Sequence, residues 1–410
     1  MCNRIGTLAS VFLFVACTAL PAQTAPTKQD APQPELVIDQ IKKTVVFIQT
    51  SWPDSTLPQI PTAQNNQPRF KSMVGTGFLI FVEIPEWGRD ASGNGRGVDF
   101  LVTAKHMIRQ KMPDNQPGPY AKKLTIRFNT LNPVDASGRR WSSLDCDILD
   151  ERGDLVWFVD DKDPIADVAL TPVYLGDGAE FKTIPENSFA TKSFIEEQHV
   201  NENDQIFFTG LFTEYFGAQK NYPVVRHGRL ALLPGEDVAI DPSKPDKKSQ
   251  IYLAEVTSFG GNSGSPVFLR LGALREGLQV DLRVGYTYRL LGVMRGFVSD
   301  EEAKQNTGIA LVVPAEKIVE ILSSDFVKAY IARAIAHDMA TKGDLKTAEA
   351  KFQESISLLE KRAPEGSQLV ATLRDFAVML HQMNRSEDAL KVFAKAQRIA
   401  AHPVSKIPEP

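Results

Sequence analysis

The chain has 410 residues, 43% of them hydrophobic and 23% charged, with 46 Lys and Arg against 50 Asp and Glu and a formal net charge of −4. That length and balance suit two or three globular cores and exclude disordered and fibrous classes. With no dense Lys/Arg block, nothing gives the electrostatic footprint of a nucleic-acid binder.

The first segment carries Arg4, an apolar run from Ile5 to Leu20 and then the small residue Ala22 after Pro21. This is the layout of a secretory signal over residues 1–22, shorter in its apolar part than the roughly 20 residues of a spanning helix. Acylation at Cys17 is the competing reading, although Phe14 is an uncommon start for a lipoprotein motif. Loss of the leader removes Cys2 and Cys17, leaves Cys146 alone and so predicts no internal disulfide in the mature chain. The combination suggests a bacterial envelope protein, periplasmic or extracellular, stabilised by its cores rather than by bridges.

Residues 23–34 are rich in Pro, Gln, Thr and Ala and read as a flexible linker, with order expected from about Glu35. The stretch ELVIDQIKKTVVFIQT predicts a short helix running into a strand, and Ser51 to Pro68 a polar loop. From Val74 to about Val313 short apolar runs (GTGFLIFV, VDFLVTA, QIFFTGLF, IYLAEV, SPVFLRL, LLGVMRG, TGIALVV) alternate with Gly, Pro, Asn and Asp clusters. Such a succession predicts an all-β barrel or sandwich. The GNGRG stretch lacks the strand-to-helix setting of a phosphate loop and reads as a hairpin turn. AEKIVEIL, Ala315 to Leu322, has helical spacing.

From Asp325 the apolar period becomes helical, and an internal repeat emerges. Ala336, Gly343, Ala348, Phe352 and Leu358 recur as Ala377, Asn384, Ala389, Phe393 and Ile399, each displaced by 41 residues. Small residues let paired helices approach, and Gly343 or Asn384 suits a left-handed turn between them. The pattern resembles the tetratricopeptide repeat, in a longer-period form with an extended turn around Ala363 to Gln368. Two repeats over residues 325–402 and a flexible tail, 403–410, are expected. The repeats either bind a partner, pack on the β domain or pair with another chain.

Serine-mediated peptide hydrolysis needs a hydroxyl beside a base, a carboxylate orienting that base, and N–H groups aimed at the developing oxyanion. Three segments offer the parts: VDFLVTAKH delivers His106 after an apolar strand, IADVAL puts Asp167 before another, and GNSGSP sets Ser263 in a Gly-rich turn. VTAKH, ADVAL and GNSGSP resemble the signature segments of trypsin-like serine peptidases, in that family's His, Asp, Ser order. The resemblance covers about residues 35–323 and is closest to the bacterial HtrA/DegP type. It implies an all-β double β-barrel (trypsin-like) protease domain, one barrel supplying His106 and Asp167 and the other Ser263, followed by an all-α tetratricopeptide-repeat domain. It further implies an oxyanion hole from the N–H groups of Gly261 and Ser263, with Gly264 keeping the turn open. Asn262 matches the bacterial members, whereas Ser265 stands in place of the commoner Gly and alters the turn.

By the same resemblance Thr257, six residues before Ser263, marks the base of the primary specificity pocket; being uncharged, it argues against cleavage after Lys or Arg. Met294, Arg295 and Gly296 would lie along the substrate backbone by strand addition, with Met294 hinting at an apolar pocket. The other histidines (His199, His227, His337, His381, His402) show no metal-ligand spacing, so neither metal nor cofactor is predicted. The sequence therefore points to an exported serine endopeptidase acting on proteins or peptides, its repeats recruiting substrate or a partner. The alternative is a non-catalytic or partner-activated protein-binding scaffold with a protease-like fold.

Overall fold

A computed structural model describes residues 36–53, 70–111, 117–239, 246, 248–272, 287–300 and 305–401. The expected signal (1–22), linker (23–34) and tail (403–410) lie outside these residues. After a short helix, α1 (Val37–Lys42), the β-branched run forms β1 (Val45–Pro53), which pairs antiparallel with β2 (Phe70–Glu83). Both faces of β1 are apolar, and both are buried. Val46 and Ile48 enter the core of their own sheet, while Val45 and Phe47 pack on Leu211 of the second half.

The first half is completed by β3 (Gly97–Thr103), β4 (Lys123–Asn129), β5 (Trp141–Asp147), β6 (Phe158–Val159), β7 (Ala169–Pro172) and β8 (Ile184–Pro185). The pairing order is β5-β4-β1-β2-β3-β7-β6, with β8 added parallel to β2, and a short helix, α2 (Lys192–Glu197), follows. The two ends of the sheet share one core, because Cys146 and Ile148 pack in the same cluster as Trp157 and Ala169. Cys146 itself is disulfide-bonded, where the sequence of the mature chain suggests a lone thiol.

The second half comprises β9 (Gln205–Gly210), β10 (Val224–Leu232), β11 (Tyr252–Glu255), β12 (Pro266–Leu271), β13 (Thr287–Asp300) and β14 (Gln305–Pro314). These close in the order β9-β10-β11-β14-β13-β12 around a core that includes Phe208, Leu269, Leu291 and Val312. Among the described residues the strands thus form this closed barrel, the eight-stranded sheet of the first half and two two-stranded ribbons. Only two residues long, β6 is too short to ladder with β5, and the ends meet through the single bridge Leu149–Leu155 and the Val156 N–H bond to Ile148 O, 3.0 Å.

The outer faces of the halves meet in a further core. Phe78, Phe100 and Val102 pack there against Phe207, Phe268 and Leu290, and α3 (Ala315–Leu322) seals it with Ile318 and Ile321. Each such side chain contributes about 1.5–3 kcal/mol on burial, which makes this seam a main stabiliser of the relation between halves.

Four longer helices follow as two hairpins: α4 (Asp325–Thr341) with α5 (Leu345–Arg362), and α6 (Ser367–Gln382) with α7 (Ser386–Ala401). Ser324 Oγ and Asp344 Oδ1 cap α4 and α5 by accepting the N–H groups of Val327 and Thr347. The turns inside the hairpins sit at Gly343 and Asn384, with φ of +85° and +60°, the left-handed geometry that closes a helix. Phe352 is 1% exposed between hairpins, whereas its counterpart Phe393, with no described hairpin beyond it, is 41% exposed. The hairpins dock on the first sheet. Tyr330 meets Phe100 and Phe158 edge to face at 6.2 and 5.9 Å, Asp154 accepts from Ser367 N at 2.8 Å, and Arg152 reaches Glu365 O at 3.0 Å. Among the described residues no helix is long and apolar enough to cross a membrane.

Candidate active site

Strand β3 runs through its buried end at Thr103 into a tight turn, Lys105–Met107. Ala104 and Met107 are buried on either side, which leaves His106 half-exposed between two anchors. Asp167 is held the same way by buried Ala166 and Val168, just before β7, and is itself 6% exposed. Its Oδ1 accepts the His106 N–H at 2.8 Å and its Oδ2 lies 2.7 Å from His106 Nδ1. With Nδ1 donating to the carboxylate, the Nε2 lone pair is left to accept a proton. Burial by itself would raise the Asp167 pKa, but the His106 charge and hydrogen bonds and the Arg295 guanidinium outweigh it and hold the carboxyl well below its usual range.

The loop before Asp167 is itself fixed. Asp163 Oδ1 accepts the N–H groups of Ile165 and Ala166, both at 3.1 Å, and Lys105 Nζ donates to Pro164 O at 2.5 Å. Buried Lys317 of α3 bridges Asp160, Asp163 and Glu320 at 3.5, 3.1 and 2.9 Å. Burial would lower the pKa of that ammonium, yet its carboxylate partners keep it above the usual lysine range.

Ser263 occupies the turn between β11 and β12. Gly261 and Gly264 there have φ of +92° and +85°, and a Cβ at Gly264 would stand 2.0 Å from Thr76 O, so only glycine fits. Asn262 is buried and staples the turn: its Oδ1 accepts Phe259 N at 2.8 Å and its Nδ2 donates to Leu211 O at 2.6 Å. Ser265 is accommodated by Gly210 opposite, where a Cβ would lie 1.9 Å from Ser265 Oγ. Among the described residues, the N–H groups of Gly261 and Ser263 donate to no protein acceptor, which leaves both available to an oxyanion.

Arg295 links the two sides of the site, its carbonyl accepting from Ser263 and its side chain meeting Asp167. The hydroxyl is turned aside, however. Ser263 Oγ donates to Arg295 O at 3.2 Å, and no hydrogen bond joins it to His106.

The expected substrate residues are placed differently from one another. Met294 is fully buried in the barrel core, and its backbone is used up by the nucleophile turn, accepting from Gly264 N at 2.7 Å and donating to Ser265 O at 2.8 Å. It therefore lines no apolar pocket. Arg295 sends its side chain to Asp167, with Nε 3.2 Å from Oδ2. Gly296 faces open space. Thr257 is exposed beside an open cleft of about 380 Å³ that it shares with His227, Arg229 and Glu255, not with Ser263. Among the described residues no group of His, Cys, Asp and Glu could hold a metal ion.

One contributor escaped the sequence. Fully buried Thr76 crosses from β2 to the nucleophile turn: its N–H donates to Ser263 O (2.9 Å), its Oγ1 donates to Gly261 O (2.8 Å) and accepts from Leu211 N (2.9 Å). The signal was the flanking glycines, since a Cβ at Gly75 would lie 2.7 Å from Met107 and 3.1 Å from Ser263 O.

No family model matches the chain, and no curated protein is found similar to it. Solved serine proteases are. The inactive form of Rv3671c protease is 14% identical over 70% of this chain and 90% of that one, with a TM-score of 0.34. A serine-to-alanine mutant of Rv3671c from M. tuberculosis H37Rv, also inactive, is 14% identical over 74% and 96%, TM-score 0.34. The thermostable serine protease AL20 from an extremophilic microorganism is 11% identical over 68% and 95%, TM-score 0.35. Likeness at that level decides neither activity nor specificity.

Proposed function

We propose that the chain is an exported serine endopeptidase, with His106, Asp167 and Ser263 as its triad. The observation that carries this reading is the His106–Asp167 pair, doubly hydrogen-bonded and linked through Arg295 to a Gly-rich serine turn in which the N–H groups of Gly261 and Ser263 have no protein acceptor among the described residues. Rotation of the Ser263 side chain away from Arg295 O brings its hydroxyl to His106 Nε2. His106 takes the proton as Oγ attacks the peptide carbonyl, and the N–H groups of Gly261 and Ser263 receive the oxyanion. His106 then gives that proton to the leaving amine, and a water, deprotonated by the same nitrogen, hydrolyses the acyl-enzyme. Asp167 keeps the imidazole in its tautomer and balances its charge. The helical hairpins, read as tetratricopeptide-like repeats, recruit substrate or a partner.

A second reading is favoured by the Ser263 hydroxyl being held on Arg295 O: a site completed only on engagement of substrate or partner. A fluorophosphonate probe applied to the folded full chain tests both. Labelling that disappears in Ser263→Ala supports the peptidase; labelling only after a protein substrate is added supports the second reading; no labelling under either condition rejects the triad.

A further inference from the structure

Arg295 sits at an irregularity in the barrel. The ladder of β13 with β14 pairs Met294 with Val312 and Gly296 with Leu311, so Arg295 is the extra residue of a bulge. A bulge breaks the alternation of a strand and re-aims a side chain. Here it lets an arginine from the second half reach across the seam to Asp167 of the first. Its Nε meets the same carboxylate oxygen, Oδ2, that His106 Nδ1 meets, at 3.2 and 2.7 Å. The two nitrogens lie within about 6 Å of each other, the two contacts taken end to end.

We propose that Arg295 is a positioning residue of the triad: it fixes the Asp167 carboxylate for His106 and, through its charge, weakens the hold of that carboxylate on a protonated His106. The inference rests on the peptidase reading for its meaning, but not for its test. A carboxylate facing histidine alone favours the imidazolium; a guanidinium on the same oxygen opposes it.

Other charges face this pair. Lys105 is on the same turn as His106, with its ammonium on Pro164 O, and Arg109 follows it. Asp160 and Asp163 precede Asp167 and are both engaged by Lys317 of α3. All of them remain when Arg295 is replaced, so replacement isolates its effect. Arg295 and His106 side chains are 29% and 30% exposed, and water therefore screens their repulsion. The expected displacement is about 0.5–1 pH unit.

The direct test is an NMR titration of the His106 ring nitrogens in 15N-histidine-labelled full chain carrying Ser263→Ala, the signal being assigned by its loss in His106→Ala. Adding Arg295→Gln is expected to move the midpoint up by about 0.5–1 pH unit, and Arg295→Lys to restore at least half of the difference. Thermal unfolding is checked first, and Arg295→Met replaces Arg295→Gln where that variant does not fold. An unchanged midpoint in a folded variant overturns the proposal. With Ser263 present, the acid limb of fluorophosphonate labelling should move the same way. If the midpoint moves and the native chain never labels, the peptidase reading fails and the positioning role stands. If the chain labels and the midpoint does not move, the positioning role alone fails.

Discussion

Thr76→Val removes one hydroxyl, keeps the side-chain shape and leaves two polar groups without partners. Thr76 is fully buried, and its Oγ1 serves Gly261 O and Leu211 N at 2.8 and 2.9 Å. An orphaned buried group costs about 1–3 kcal/mol, so orphaning two destabilises the fold by roughly 2–6 kcal/mol, a fall of several degrees or more in Tm. The Gly261 carbonyl is the anchor that orients the oxyanion side of the turn. Without it, labelling by a fluorophosphonate should slow by about tenfold or more, against roughly 10²–10³ for removal of a whole oxyanion donor. Thr76→Ser, which keeps the hydroxyl, should lose well under half of either effect. Calorimetric Tm values and second-order labelling rates for both variants decide the matter. A Thr76→Val protein within about 0.5 kcal/mol of the native chain, and labelling at the native rate, would show that this hydroxyl does not hold the turn.

Asp167, with its folded pKa depressed, contributes stability that is present above the unfolded value near about 3.9 and lost as pH falls through the lower folded value. Tm measured from pH 5 to pH 2 should therefore decline less steeply in Asp167→Asn than in the native chain; equal slopes would contradict the pairing. Gly264→Ala puts a Cβ 2.0 Å from Thr76 O at a φ of +85° and should lower labelling by more than about 100-fold, with the helical CD signal retained. Phe352→Ala should cost about 3–5 kcal/mol and Phe393→Ala under about 1, because only the first lies between two hairpins; similar Tm losses would remove the distinction.

Features written in a few adjacent residues were legible in the sequence. Gly343 and Asn384 mark left-handed turns because few other residues tolerate them, and both lie where the 41-residue repeat puts a turn. His106 and Asp167 come together because each is pinned between buried neighbours at the mouth of a strand. Met294 was misplaced for a reason that local pattern cannot supply. The ladder with β12 pairs Phe268 with Leu290 and Val267 with Gly292, so the irregularity that sets its face falls at Leu291, ahead of it, and is fixed by the partner strand rather than by composition. Thr76 was missed because all its partners are distant in sequence.

The two cross-seam contacts are reciprocal. Thr76 reaches from the first half to hold the Ser263 turn, and Arg295 reaches from the second half to hold Asp167. Neither half carries a complete site, so its geometry depends on the apolar seam of Phe78, Phe100, Phe207 and Leu290 that fixes their relation. The helical hairpins touch this arrangement at one end. Besides Lys351 with Glu86 at 3.6 Å, polar contacts fall on Arg152, Asp154 and Asp161, the last through Arg362 at 3.7 Å, and that segment leads within a few residues to Asp163 and Asp167. A ligand on the hairpins that shifts them against the first sheet would thus act on the Asp167 side of the proposed site, through a loop that Lys317 resists moving, and reach the Ser263 turn through Arg295 and Thr76. Mechanical influence of the hairpins on the proposed site therefore enters at the carboxylate that orients His106.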